Sequence, residues 1–187
     1  KDYWTDPQDT TLLDGFHIIG GEANEAPNQK LTVNNNDMSK SQGGGITVYG
    51  GTNKIVNCTV ENSQANIGGA IFLNTDTTIV ENSVFKQNHA NIAAGIASID
   101  GNYRLISNYF VDNNADTTAC VDIKNGLGII INNAFDGNQS IFKSGALTLL
   151  QGTHAVVNNT FFSNASTEVG ALYVDGGNFS IYNNIFH

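Results

Sequence analysis

Charged residues, proline, cysteine and long apolar runs are all scarce in this chain of 187 residues. Only 13% of the residues are charged, and no stretch is rich in Ala, Glu, Lys and Leu, so we expect almost no helix. No apolar run approaches the roughly 20 residues of a membrane span, which argues against direct membrane insertion. The 17 acidic residues outnumber the 8 basic ones, and this excess argues against nucleic acid as a partner.

The chain instead contains a repeat of about 25 residues. Hydrophobic residues make up 40% of the chain, which is enough to form a core. Aliphatic residues such as Ile46 and Val48 alternate with residues of no fixed type, including Phe72 and Tyr173, which are expected to point outward. Two further strands per repeat are predicted around Ile55 and Val60. This pattern predicts an all-β fold, a right-handed single-stranded parallel β-helix with three short strands per coil. Each phenylalanine of one column should lie on that of the next coil.

The repeat divides the chain into three parts. Residues 1–10 are expected to form an N-terminal cap or linker, and residues 11–42 a first irregular coil with an inserted polar loop. Residues 43–187 are the regular coils, which start at positions 43, 68, 93, 118, 144 and 169. We expect these coils to continue in a larger protein.

Asparagine and glycine keep fixed positions in the repeat. The asparagines predict two hydrogen-bonded ladders along the stack. The first predicted ladder is Asn57, Asn82, Ser107, Asn132, Asn158 and Asn183, and the second is Ser63, Asn88, Asn113, Asn138 and Asn164. Only Gly and Ala occupy the column that contains Gly69, which indicates that this position requires a small residue.

Two of these motifs resemble those of a known family. The "GGAI" at 68–71 and the "FKQN" at 85–88 are similar to the paired GGAI and FxxN repeats of the polymorphic outer-membrane proteins, a family of bacterial surface adhesins. The FxxN motif recurs from Phe110, Phe135 and Phe161. The resemblance implies a β-helix on the outside of a bacterial cell.

Right-handed β-helices also carry pectin-degrading enzymes, and one stretch resembles part of their motif set. Asn74-Thr75-Asp76 is similar to the first motif of polygalacturonase-like hydrolases, and Asp100 falls almost one coil later. Two carboxylates about 5 Å apart can share acid and base work, so Asp76 and Asp100 are the candidate catalytic pair. The His-Gly and Arg-Ile-Lys motifs of those enzymes are missing, which favours ordinary turn residues.

Metal and cofactor chemistry find no support in the sequence. The four histidines occupy different columns without metal-ligand spacing, so neither a metal nor a cofactor is predicted. Cys58 and Cys120 lie in different columns, more than two coils apart, which predicts two free buried thiols rather than a disulfide.

One apolar column is placed outside by the alternation. Two interpretations of this column are open: a loop within residues 22–42 covers it, or the column is a docking strip for a partner. The candidate partner-binding residues are Val56, Ile106, Ile131, Val157 and Tyr182, with Glu81 in the same column.

Together these patterns predict a non-catalytic, extracellular or cell-surface segment that acts as an adhesin, stalk or presentation scaffold. Its expected partners are a protein or polysaccharide on a host or neighbouring cell, and adjoining domains of the same polypeptide. The alternative function is that of a carbohydrate-active enzyme, a polysaccharide hydrolase or lyase, or of a carbohydrate-binding module.

Overall fold

The chain forms a stack of coils in which each strand pairs with the equivalent strand of the next coil. The computed structural model describes residues 10–33, 36–118 and 120–187. All pairings between coils are parallel, as between Ile71 and Ile96 or between Phe85 and Phe110. The predicted all-β parallel β-helix of about 25 residues per coil is confirmed, and the described residues contain no helix.

Four parallel sheets run along the stack. Sheet 1 contains Ile46–Tyr49, Ile71–Asn74, Ile96–Ile99, Val121–Lys124, Leu147–Leu150 and Leu172–Asp175. Sheet 2 contains Thr10–Asp14, Thr52–Val56, Thr77–Glu81, Asn102–Ile106, Leu127–Ile131, Thr153–Val157 and Asn178–Tyr182. Sheet 3 contains His17–Ile19, Thr59–Glu61, Val84–Lys86, Tyr109–Val111, Ala134–Asp136, Thr160–Phe162 and Ile185–Phe186. Sheet 4 contains Glu22–Ala23, Gln64–Ile67, His89–Ile92, Asn114–Thr118 and Gln139–Ser140.

Sheet 4 adds a fourth strand to most coils, whereas the sequence predicts three strands per coil. Its inward residues are small, as at Ala65, Ala90 and Ala115, and its other positions are largely polar. The large aliphatic residues that mark the other strands are therefore missing, although parallel pairing holds this segment in the stack.

The N-terminal coil carries an antiparallel hairpin, Lys30–Val33 and Asn36–Ser39. Its base is fixed by the carbonyl oxygen of Ser41, which accepts hydrogen bonds from the backbone nitrogens of Asn66 and Ile67. The hairpin falls within the predicted polar loop. The predicted cap or linker at 1–10 lies almost wholly outside the described residues.

The core between the sheets consists of stacked columns of identical or similar side chains. Phe85, Phe110, Phe135 and Phe161 are at most 1% exposed. Consecutive ring centroids in this column, extended to Phe186, are 4.8–5.0 Å apart. The phenylalanine stacking that the sequence predicts is confirmed.

Two ladders of buried asparagine close the corners on either side of sheet 3. In one ladder, Nδ2 of Asn113 donates to Oδ1 of Asn138 and to the carbonyl oxygen of Phe85, both at 2.9 Å. Its Oδ1 accepts from the backbone and side-chain nitrogens of Asn88, so one amide joins three coils. The members of this ladder are Ser63, Asn88, Asn113, Asn138 and Asn164, as predicted.

The other ladder is displaced by one residue from its predicted position. Its members are Ser83, Asn108, Asn133, Asn159 and Asn184. The predicted column is exposed and has positive φ, for example 53° at Asn57 and 58° at Asn132. That column turns the chain from sheet 2 into sheet 3, and asparagine is common there because it tolerates the left-handed conformation.

The glycine column is explained by close packing between coils. A Cβ atom on Gly69 would lie 2.5 Å from the carbonyl oxygens of Ala94 and His89. The preceding Gly68 has a φ of 69°, which reverses the chain between sheets 4 and 1. The column therefore requires little volume, as the sequence indicates.

Candidate functional site

Asp76 and Asp100 lie on neighbouring coils in the turns that join sheet 1 to sheet 2. Thr77 pairs with Asn102, so the register sets Asp76 beside Gly101 and Asp100 beside Thr75. Both aspartates are exposed and line one shallow depression. Asp100 has a φ of 62° and accepts a 2.8 Å hydrogen bond from Nδ2 of Asn125. These are features of solvated turn residues.

The predicted docking strip follows the outer side of sheet 2, and its members differ in exposure. Val56 is 7% exposed, whereas Tyr182 is 53% exposed. Ile106, Ile131 and Val157 are half-buried. The hairpin residue Met38 lines a depression with Leu13, Ile46 and Ile55 at the N-terminal end of the stack, away from the middle of the strip.

Two strongly exposed residues extend the strip into a broader surface. Leu127 is 58% exposed and Ile129 is 36% exposed. With Arg104 and Ala155 they line a shallow depression on sheet 2. We call the apolar residues of this surface the outer apolar face, which comprises Ile79, Ile106, Leu127, Ile129, Ile131 and Val157.

The outer side of sheet 1 differs from that of sheet 2, because the turn from sheet 4 packs against it. We call the outer side of sheet 1, together with the turn that packs against it, the outer corner. Its residues on sheet 1 form the column Thr47, Phe72, Ala97, Asp122, Thr148 and Tyr173. In the coils of Phe72 and Ala97 the corner is apolar, and these residues are 1% and 3% exposed. They pack with Ala93, Ile92 and neighbouring apolar side chains. Phe72 therefore points away from the main core, as the alternation predicts, but the turn covers it and leaves it buried.

In the next three coils the same corner is polar. The Thr118 hydroxyl donates a 2.6 Å hydrogen bond to Oδ2 of Asp122. One coil later, the hydroxyls of Ser144 and Thr148 are 2.8 Å apart. The ammonium group of Lys143 lies 5.5 Å from the ring centroid of Tyr173. A carboxylate, an ammonium group and an aromatic ring thus share one outward surface.

The carboxyl group of Asp122 is largely enclosed, although part of the residue reaches solvent. Burial raises the pKa of this carboxyl above its ordinary value, while the Thr118 hydrogen bond and the charges of Lys143 and Lys124 act in the opposite direction. The register of sheet 4 also shifts where Ile92 pairs with Thr118. The spacing of four residues between Thr118 and Asp122 recurs one coil later between Ser144 and Thr148.

The histidines and cysteines do not combine into a site. His154 lies in the core, with Nδ1 2.7 Å from the hydroxyl of Tyr103 and Nε2 2.6 Å from the carbonyl oxygen of Gln151. Cys58 and Cys120 are free and buried, and burial raises the pKa of the Cys120 thiol. Within the described residues, no three His, Cys, Asp or Glu side chains are grouped to hold a metal ion.

A model of the right-handed β-helix region matches residues 15–186, which is nearly the whole chain. The chain belongs to the right-handed β-helix family. No curated protein and no solved structure matches this β-helix. The match establishes the repeat architecture, and the finer resemblance to GGAI and FxxN proteins stays a prediction.

No helix of the described part of the β-helix has the length and hydropathy that a membrane crossing requires. The family accommodates scaffolds, adhesins and carbohydrate-active domains, so it is compatible with each of the functions that the sequence predicts. Choosing among them depends on the surfaces of this particular chain.

The sequence pattern does not reveal the outer corner as a separate surface. Asp122 appears in it as one member of a column of no fixed type, which also contains Ala97 and Thr148. The sequence signal for this surface lies four positions before the column, where the residue changes from Ala93 to Thr118 to Ser144 in successive coils. It can be interpreted only when the turn between sheets 4 and 1 is known to fold against that column.

Proposed function

We propose that this β-helix is a non-catalytic, extracellular or cell-surface scaffold that binds a surface protein of another cell through the outer apolar face. The observation that carries this proposal is the continuity of outward apolar residues, exposed or half-buried, across neighbouring strands of sheet 2, as from Ile106 to Ile131 and Val157. Leu127, Ile129 and Ile131 occupy successive outward positions of a single strand. Exposed apolar residues that are contiguous in this way are typical of protein-binding surfaces.

The charge around this surface supports a protein partner. The net charge of the chain is -9, yet the outer apolar face carries Arg104 beside Ile129 and an ion pair between Lys54 and Glu81 at 3.6 Å. Arg104 lies between Ile79 and Ile129 in the sheet register, and a guanidinium group among apolar residues resembles the composition of binding hot spots. A partner with apolar and acidic groups would complement it.

Stacking gives the scaffold its mechanical role. Each coil is joined to the next by continuous parallel pairing, stacked phenylalanines and asparagine ladders. No buried side-chain nitrogen or oxygen among the described residues lacks a hydrogen-bond partner. Such an arrangement favours a stiff rod that holds its outward residues at fixed spacing. Adjoining domains of the same polypeptide are a further proposed partner.

The test is a double substitution, Ile106→Asp with Ile131→Asp, in beads coated with the chain and counted on cultured cells. A matched control places two carboxylates on sheet 4 through Gln64→Asp and Asn114→Asp. We expect the first variant to lose at least about tenfold in bead attachment, because it charges the centre of the face. Unchanged attachment by a folded double variant would exclude this face.

The enzyme alternative is tested on the same material. Neutral and uronate-containing polysaccharides are incubated with the wild type and with the Asp76→Asn and Asp100→Asn variants. Our proposal predicts no cleavage by any of them. Cleavage by the wild type that both variants lose would replace the scaffold with a carbohydrate-active enzyme that uses this pair.

A further inference from the structure

One turn between sheets 1 and 2 carries the single Asn-Gly pair of the sequence, Asn125-Gly126. Both residues are half-buried, so water reaches them. Asn125 has a φ of 64°, and its Nδ2 donates a 2.8 Å hydrogen bond to Oδ1 of Asp100 on the preceding coil. Asparagine is a thermolabile residue, because its side-chain amide is open to attack by the backbone nitrogen that follows it. The reactivity of Asn125 therefore depends on the nitrogen of Gly126.

The stack itself requires glycine after Asn125. Gly126 has a φ of 78°, which lies in the left-handed region that glycine adopts most readily. A Cβ atom at this position would also collide with the carbonyl oxygen of Gly101 on the preceding coil. The fold thus leaves the backbone nitrogen of Gly126 without a side chain to shield it.

The nitrogen of Gly126 is also unbound, which distinguishes Asn125 from other asparagines with positive φ. Among the described residues it donates no hydrogen bond. After Asn82, by contrast, the backbone nitrogen of Ser83 donates to Oδ1 of Asn108 at 3.0 Å. The backbone nitrogens that follow a left-handed asparagine and donate into a ladder belong to Cys58, Ser63, Ser83, Asn133 and Asn159. Each of these nitrogens must release a hydrogen bond before it can attack, whereas that of Gly126 has none to release.

We propose that Asn125 is a site of spontaneous deamidation in the folded chain. The Gly126 nitrogen loses its proton and attacks Cγ of Asn125, so that a bond forms between these atoms while the bond from Cγ to Nδ2 breaks. Nδ2 takes up a proton and leaves as ammonia, and the product is a five-membered succinimide ring. One water molecule then opens the ring at either carbonyl carbon, which yields aspartate or isoaspartate. Nothing is oxidised or reduced, and water is the only other reactant.

The reaction weakens the contact between two coils. It removes the donor that Asn125 offers to Asp100 and sets a second carboxylate beside the first, and like charges repel each other. Isoaspartate also adds one main-chain atom just before Leu127, where a strand of sheet 2 begins. We therefore expect an aged chain to unfold at a lower urea concentration than a fresh one.

The experiment incubates the whole folded chain in neutral buffer and follows the peptides around Asn125 and Asn82 by mass spectrometry after digestion. Asn82 is the internal control, because it also has positive φ but is followed by a bound nitrogen. We expect Asn125 to convert at least about tenfold faster, since the release of one hydrogen bond corresponds to a factor of that order.

The matched variant is Asn125→Gln, which should not convert at this position because its longer side chain would have to close a larger ring. Glutamine fits the turn, since Gln151 occupies the same column on the next coil with a φ of 60°. Equal conversion of Asn125 and Asn82 in the folded wild type would overturn the proposal. The same conversion at position 125 in Asn125→Gln would also overturn it.

The same chain in urea separates the effect of the fold from that of the sequence. Unfolding frees the bound nitrogen of Ser83, so the ratio of the two rates should be smaller in urea than in the folded chain. A ratio in urea that is equal or larger would show that the fold does not favour reaction at Asn125, against the proposal. Equal urea midpoints of aged and fresh chains would overturn the loss of stability. None of these measurements involves the outer apolar face, so this proposal and the proposed function can fail separately.

Discussion

The outer corner exists in two versions on one backbone. In the coils of Phe72 and Ala97 it is filled by apolar side chains that exclude water. In the coils of Asp122 and Thr148 the same positions carry a carboxylate and hydroxyls. Parallel pairing continues through both, for Ala97 lies directly opposite Asp122. The backbone therefore does not determine what fills the corner.

This difference separates residues that stabilise the coil from residues that contribute little to its stability. The apolar version removes hydrophobic surface from water, which favours folding. The polar version removes a carboxyl group from water and returns one hydroxyl hydrogen bond, which gives little net stability. A change in the apolar version should therefore lower the stability of the fold more than a change in the polar version.

The largest effect is expected from Phe72→Ala. The side chain is 1% exposed and its ring centroid is 5.8 Å from that of Tyr49, so truncation leaves a cavity in the apolar corner. We expect a loss of about 3–5 kcal/mol in the free energy of unfolding, measured by urea denaturation. Tyr173→Ala, in the same column but half-exposed, is the matched control and should lose less than half as much. Equal losses would show that the two versions do not differ.

The next effect is expected from Ala97→Asp, which adds a second carboxylate one coil before Asp122 and directly opposite it. Ala97 is 3% exposed and packs against Ala93, which has no hydroxyl to donate as Thr118 does. The unsatisfied carboxyl should lower the free energy of unfolding by about 1–3 kcal/mol. Ala97→Ser, of similar size and uncharged, should cost less. A variant as stable as the wild type would mean that the apolar corner admits polar groups freely.

The repeat, the strand alternation and the phenylalanine stack could be predicted from the sequence because each depends on residues that recur at fixed spacing. The sequence pattern places the asparagine ladder next to sheet 2 one residue too early, for a physical reason. Asn132 and Asn133 are adjacent, and both columns favour asparagine, one for its left-handed φ and one for its amide. Composition alone does not distinguish these two roles.

The burial of Phe72 could not be predicted because it depends on sheet 4. Strand alternation places this residue outside, and the sequence gives no sign that a turn then folds back against it. The strand before that turn, Gln64–Ile67, is small or polar at three of its four positions, so its hydrophobic alternation is weak. Without it, the outer corner is an open surface and Asp122 is an ordinary exposed residue.

The smallest effect is expected from Asp122→Asn, and it depends on pH. In the folded chain burial raises the pKa of this carboxyl above its ordinary value of 3.8. Folding therefore favours the protonated form, and the stability that the group contributes below pH 3.8 is lost as the pH rises through the raised pKa. The asparagine variant is neutral throughout, so it should match or exceed the wild type at pH 7, by no more than about 1 kcal/mol.

Urea denaturation of the wild type and of Asp122→Asn is repeated between pH 7 and pH 4, with Glu22→Gln as an exposed control. The advantage of Asp122→Asn should decrease as the pH falls towards 3.8, because the wild-type carboxyl then becomes neutral as well. An advantage that instead grows on acidification would mean that the folded chain favours the charged form. The polar corner would then be a stabilising feature, and its contrast with the apolar corner around Phe72 would disappear.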